Sequence, residues 1–148
     1  QVIYQNIVRI REDKNMTLSV LQYSQQSFNI VGQHESVIIC RNDGSIEEID
    51  TMDLGFPIGL VDDIADFITT DQFQLATGET VLLYTDGITE AENTAQEQYG
   101  VERMTNMLRQ HHQADATTIR NSIIEDVYTF IDSAEVFDDI SMMVIKQR

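Results

Sequence analysis

The residues of this 148-residue chain best suited to chemistry are carboxylates that stand at the ends of apolar runs. Asp86 ends the run TVLLYTD and is followed by Gly87. Asp138 and Asp139 stand immediately before a second apolar run, Ile140–Ile145. A buried strand that runs into Asp-Gly presents its carboxylate at the strand end rather than on a face, because glycine lets the backbone change direction at once. If the two strands are neighbours in one sheet, Asp86 and Asp138 converge on a single cation. Hard divalent ions such as Mg²⁺ or Mn²⁺ take carboxylate oxygens together with several waters, so a few aspartates suffice. Plainer roles fit the same residues: Asp-Gly is an ordinary turn dipeptide, and Asp before a strand is an ordinary cap. Spacing alone leaves both open.

The elements that must position these carboxylates follow from periodicity. Ile3, Ile7 and Ile10 recur at helical spacing, which predicts an amphipathic helix over 2–13. Strands are predicted over Thr17–Tyr23, 27–32, 36–40 and 45–50, with a hairpin across Ser24–Gln26 and a turn at Arg41-Asn42-Asp43-Gly44. Tight connections make this run an antiparallel meander. Gly55, Pro57 and Gly59 punctuate a loop over 51–63, and IADFITTDQFQL alternates as one or two strands. TVLLYTD reads as a strand buried on both faces. A helix is predicted from about Val101 to His111, and another from the capping residue Asp115 to about Ile131. On the second, Ile119, Ile123, Val127 and Phe130 share a stripe. A short strand closes the chain. The order predicts an α+β fold, an antiparallel sheet system with helices on its outer face.

Composition excludes several partners. With 25 Asp and Glu against 9 Lys and Arg, the net charge is −16. Nucleic-acid backbones and anionic membrane surfaces both require clustered positive charge, so neither is expected as a partner. No apolar run reaches transmembrane length and no signal peptide opens the chain. Cys40, the single cysteine, lies in the apolar run VIIC and reads as a buried structural thiol compatible with a cytoplasmic location. His111 and His112 are expected at an exposed helix end, where they suit the dipole. A first residue other than Met suggests a piece of a longer polypeptide.

LYTDGITEAEN, followed far downstream by FDDISMMVI, resembles the two C-terminal signatures of the SpoIIE-like phosphatases, the bacterial branch of the metal-dependent PPM-type Ser/Thr phosphatases. FNIVGQHESVIICRNDGSIEEI is similar to that family's hairpin around an Ala-Gly-His-like turn. DLGFPIGL resembles its Leu-Gly loop, and QYGVERM its Phe-Gly-x-x-Arg helix start. The resemblance covers nearly the whole chain in the right order. It implies an antiparallel β-sandwich flanked by helices, with residues 1–148 forming the C-terminal part of one phosphatase domain.

By the same resemblance Asp86 and Asp138 are metal ligands, while Asp139, Gly87 and Glu90 support them. His34, displaced by one place from the family's Gly-His turn, is expected to be a surface or turn residue rather than a catalytic one. The family's opening Gly-Asp-x-x-Gly-His-Gly-like motif, whose Asp bridges two metals, is absent and is expected upstream of residue 1. The complete domain would hold two Mg²⁺ or Mn²⁺ ions and hydrolyse phosphoserine or phosphothreonine by attack of a metal-activated water, without a phosphoenzyme. The expected partners are a phosphoprotein such as an anti-sigma-factor antagonist and an upstream sensor or regulatory domain. The alternative is a degenerate, non-catalytic module that binds a partner, favoured by the missing motif and opposed by the intact Asp86 and Asp138.

Overall fold

The computed structural model of the chain describes residues 15–61 and 63–148. The helix expected over 2–13 lies outside them. The described residues form seven strands: β1 (Val20–Ser24), β2 (Ser27–Val31), β3 (Val37–Cys40), β4 (Ile46–Ile49), β5 (Thr70–Phe73), β6 (Thr80–Tyr84) and β7 (Met142–Lys146). Among the described residues three α-helices accompany them: α1 (Asp86–Thr89), α2 (Gly100–His111) and α3 (Ala116–Ile131). The strands form two antiparallel sheets, ordered β1-β2-β5 and β4-β3-β6-β7. The α+β class and the antiparallel sheets are as the sequence predicts. Each sheet belongs to its own compact unit. One comprises the chain up to His34 with Asp50–Gln74, the other Glu35–Ile49 with Leu75–Arg148.

In the first unit, β1 and β2 are joined through Gln25-Gln26, both at positive φ (51° and 63°), the twist a two-residue hairpin turn requires. That turn fixes the register Ser24↔Ser27 and moves β1 three residues later than its alternation suggests at the start. The predicted four-strand meander is not formed. β2 takes β5 as its second partner, and Phe28 and Phe73 stack across that pair with ring centroids 5.1 Å apart. The chain leaves β2 at Gly32 (φ +92°), where a Cβ would stand 2.1 Å from the Leu18 carbonyl oxygen. Only β3 and β4 continue as a hairpin, around the predicted Asp43-Gly44 turn, and they do so in the other sheet. IADFITTDQFQL yields one strand, preceded by a 3-10 turn at Ala65–Phe67.

The second unit is built around β6. It is paired with β3 on one side and β7 on the other, and buries Thr80, Val81, Leu82 and Tyr84. Ile38 and Cys40 of β3 and Leu82 and Tyr84 of β6 pack against Met104 and Leu108 of α2 and Ile119, Ile123, Val127 and Ile131 of α3. The helices therefore cover one face of this sheet, as expected. Asp115 caps α3, its carboxylate accepting the Thr118 N–H at 2.7 Å. Ile131 completes the buried stripe of α3 in place of Phe130, which is half-buried. Phe130 has a separate task. Its ring meets Tyr99 edge-on at 5.5 Å, and the Arg103 guanidinium lies over both rings. Arg103 grips Asp126 through two 2.8 Å bonds, and the Tyr99 hydroxyl donates to the same carboxylate at 2.7 Å. This network ties the start of α2 to α3. Among the described residues no helix is long and apolar enough to cross a membrane.

Two outcomes test these assignments. Gln26→Gly removes a side chain from a left-handed conformation and should raise stability by up to about 1 kcal/mol in denaturant unfolding. The second concerns pH. The Arg103 bonds hold the Asp126 pKa below its ordinary value, so their contribution is full above the unfolded-state pKa and is lost as pH falls through the folded one. Asp126→Asn should therefore be less stable than the parent near neutrality. The gap should close between about pH 5 and pH 2. It should be modest, because Arg103 is 42% exposed and solvent screens the pair.

Candidate functional site

The run TVLLY is apolar and rich in β-branched and aromatic types, so it forms the buried strand β6, and its last residue, Tyr84, pairs with Met142 of β7. The two aspartate-bearing segments therefore leave neighbouring strands at the same end, as the sequence requires for convergence. Asp86 does not sit in a simple glycine turn. It is the first residue of the four-residue helix α1, and its carbonyl accepts the Glu90 N–H at 2.8 Å. Its carboxylate is half-buried and accepts the Gly87 N–H at 3.0 Å. Asp138 is exposed, and its carboxylate accepts the Asp139 N–H at 2.7 Å.

Gly87 is required for a different reason from the one its sequence context suggests. It is not among the positive-φ glycines. Instead, the Asp138-Asp139 backbone lies directly against it. A Cβ at Gly87 would stand 2.5 Å from the Asp139 carbonyl oxygen and 3.3 Å from the Asp138 carbonyl carbon. Glycine is therefore what lets the two segments touch. Thr85, which sequence reasoning passed over, fastens them. Its N–H donates to the Ser141 carbonyl at 3.1 Å, and its hydroxyl donates to the Asp139 carbonyl at 2.7 Å and accepts the Ser141 N–H at 3.1 Å. The available signal was a hydroxyl-bearing β-branched residue at the strand end, one place before the aspartate.

Gly87, Glu90 and Asp138 line one cavity of about 290 Å³ together with Glu92, Glu135 and Phe137. Among the described residues its lining contains no Lys or Arg, and its carboxylates make a field that attracts cations and repels phosphate. Asp86 and Asp139 are not among the lining residues. Glu90 bonds the Asp86 carbonyl through its backbone N–H, which leaves its exposed side chain to the cavity. Asp139 acts on its neighbours through its carbonyl and N–H, while its side chain is exposed. Among the described residues neither Asp86 nor Asp138 is paired with a Lys or Arg, and no three His, Cys, Asp or Glu side chains are grouped to hold a metal. The two carboxylates thus supply hard oxygen donors on adjoining segments, but not a complete set.

Other titratable candidates fall away. Burial pushes the Tyr84 hydroxyl up to about 12, helped by the charges of Glu35 and Glu48, so it stays protonated and serves packing. Burial likewise raises the Cys40 thiol, as expected of a structural cysteine. His34 is the turn residue expected: its ring meets the Thr17 hydroxyl at 3.0 Å, and its backbone N–H and carbonyl both bond the Thr51 hydroxyl. His111 and His112 are half-buried rather than exposed. Arg109 and Gly44 crowd His112, whose Nδ1 lies 2.7 Å from the Arg109 carbonyl oxygen.

The fold recurs in known proteins. The structure of the SiaA-PP2C domain of Pseudomonas aeruginosa superimposes with a TM-score of 0.78 at 19% identity, over 98% of this chain and 58% of that one. The phosphatase domain of the cell fate determinant SpoIIE from Bacillus subtilis, in a Mn-presoaked form, gives 0.62 at 14% identity, over 99% of this chain and 72% of that one. Protein IcfG of Synechocystis sp. is 29% identical over 112 residues, which is 76% of this chain and 17% of that protein. The chain thus spans a small part of IcfG and about 58% of the SiaA domain. The family described as Stage II sporulation protein E (SpoIIE) matches residues 3–148, and the chain belongs to it, with the two antiparallel sheets of a PP2C-like fold.

Proposed function

We propose that this chain is the C-terminal part of a metal-dependent protein serine/threonine phosphatase domain, and that Asp86 and Asp138 are its contribution to the metal site. One observation carries the proposal: β6 and β7 are hydrogen-bonded neighbours, and the segments bearing the two aspartates stay in contact beyond their ends, through Gly87 and Thr85. The donor set fits a hard cation in kind, since both side chains are carboxylates and, among the described residues, neither has a competing cationic partner. It does not fill a site, so the remaining ligands, including a bridging aspartate, are assigned to polypeptide beyond the described residues. Mg²⁺ or Mn²⁺ held there would neutralise phosphate charge and lower the pKa of a water, the chemistry that lets phosphate esters hydrolyse without a phosphoenzyme.

The chain's own residues have narrower tasks. Asp86, half-buried at the start of α1, accepts the Gly87 N–H through its carboxylate. Asp138 is held by the backbone seated on Gly87. Asp139 supports through its carbonyl rather than its carboxylate. Glu90, Glu92 and Glu135 deepen a negative field that a phosphorylated substrate tolerates only when cations offset it. The substrate is assigned as phosphoserine or phosphothreonine on a regulatory protein, of which an anti-sigma-factor antagonist is one candidate. A sensor or regulatory domain upstream would control it.

In a polypeptide that extends this chain upstream through the bridging aspartate, Asp86→Asn and Asp138→Asn should each lower kcat/KM for a phosphoserine peptide by at least about 100-fold, with the fold retained by circular dichroism. Asp139→Asn should cost far less, because its contribution is made by the backbone. Wild-type rates for all three variants would reject the assignment and favour a partner-binding module. Residues 1–148 alone should turn over phosphate esters poorly even in millimolar Mn²⁺, since two carboxylates cannot fix two ions about one water. Robust Mn²⁺-dependent turnover by this chain, lost in Asp86→Asn, would place the complete ligand set within it.

A further inference from the structure

We infer that Thr85 is a positioning residue for the cation site: its hydroxyl continues the β6–β7 ladder past the point where the backbone abandons it, and so holds the Asp138 segment beside Asp86. The inference rests on the assignment of those two aspartates as ligands. Regular pairing ends at Tyr84↔Met142, and the Thr85 N–H adds one more bond, to the Ser141 carbonyl. At Asp86 the chain turns into α1 and can offer β7 no further backbone groups. The Ser141 N–H and the Asp139 carbonyl would then face nothing from β6. One hydroxyl serves both, because it carries one donor hydrogen and two acceptor lone pairs. The hydrogen goes to the Asp139 carbonyl at 2.7 Å and a lone pair receives the Ser141 N–H at 3.1 Å.

The consequence is geometric. Asp138, Asp139 and Ser141 are exposed, so without the hydroxyl their backbone groups can turn to water. The sheet need not collapse, because Thr85 lies beyond the last regular pair. What is lost is the fixed distance between the two carboxylate-bearing segments, and groups that orient ligands in this way set cation affinity. Valine has the shape of threonine without the hydroxyl. Serine keeps the hydroxyl without the methyl.

The test uses the chain as it stands and two readouts that do not depend on turnover. In titrations with Mn²⁺ followed by nuclear magnetic resonance, the amide signals of Asp86, Gly87, Asp138 and Asp139 should broaden first. Thr85→Val should weaken that effect about tenfold in Mn²⁺ concentration, and Thr85→Ser should stay within about twofold of the parent. By reciprocity, saturating the unmodified chain with Mg²⁺ should slow hydrogen exchange at the Ser141 amide. This second readout stands even if Thr85→Val does not fold. Parent-like Mn²⁺ affinity in Thr85→Val, or Ser141 exchange indifferent to Mg²⁺ while Mn²⁺ still broadens Asp86 and Asp138, would overturn the role of Thr85 alone. Broadening confined to other carboxylates in the unmodified chain would overturn the metal assignment, and the positioning role with it.

Discussion

Pairing of β6 with β7 is the constraint on which the site depends. β6 is central in its sheet and nearly all buried, so its path is set by burial on both faces and by hydrogen bonds on both edges. β7 comes from the far end of the chain, more than fifty residues later, and is held to β6 over five register pairs. Two aspartates that are distant in sequence thereby become neighbours by topology. The contact is then tightened by groups that are not ligands: Gly87 lets one backbone lie on the other, and Thr85 binds them with a hydroxyl. The order of dependence runs from buried strand, to ladder, to contact between segments, to placement of carboxylates.

Charge shapes what such a site can do. A chain with net charge −16 is a poor partner for any phosphorylated molecule. The cavity beside Gly87 concentrates the difficulty, because Glu90, Glu92, Glu135 and Asp138 line it with no Lys or Arg among the described lining residues. Elsewhere the same excess is managed locally. Arg41 bridges Glu47 and Glu79, and Arg103 neutralises Asp126, each arginine spent on holding elements together. The contrast has chemical content. Glu47, Glu79 and Asp126 have arginine partners, and among the described residues Asp86 and Asp138 do not. Unpaired acidic groups around a cavity are compatible with an anionic substrate once cations reverse the local potential.

What the sequence disclosed and what it hid follow from the range of the interactions. Local signals were legible: the Asp43-Gly44 turn, the Asp115 cap, the apolar stripe of α3 up to Val127, and the strand character of TVLLY. The neighbouring of β6 and β7 was legible as the condition under which the two aspartates could share a cation. The false meander arose because nearness in sequence suggests pairing, whereas β2 prefers β5, where Phe28 can stack on Phe73. Phe130 was placed on the buried stripe because its type is apolar, yet Arg103 and Tyr99 offer it a partly exposed place. Gly87 was rightly singled out for the wrong physical cause, since a close approach by a residue fifty-two positions away leaves no local trace.

Thr85 shows why positioning groups are harder to find than ligands. A ligand announces itself by type, because few side chains hold hard cations. A positioning group is defined by what it touches, and threonine at a strand end is ordinary in any β protein. Here its importance comes from an accident of topology. β6 turns into α1 one residue before β7 has run out of backbone groups to satisfy, and a side chain must stand in for the missing peptide. That substitution also accounts for the behaviour of Asp139. With its carbonyl fixed by Thr85 and its N–H fixed by Asp138, its backbone does the holding and its side chain is left in solvent. An amide could occupy that place as well as a carboxylate, because neither end of the holding contact involves the side chain.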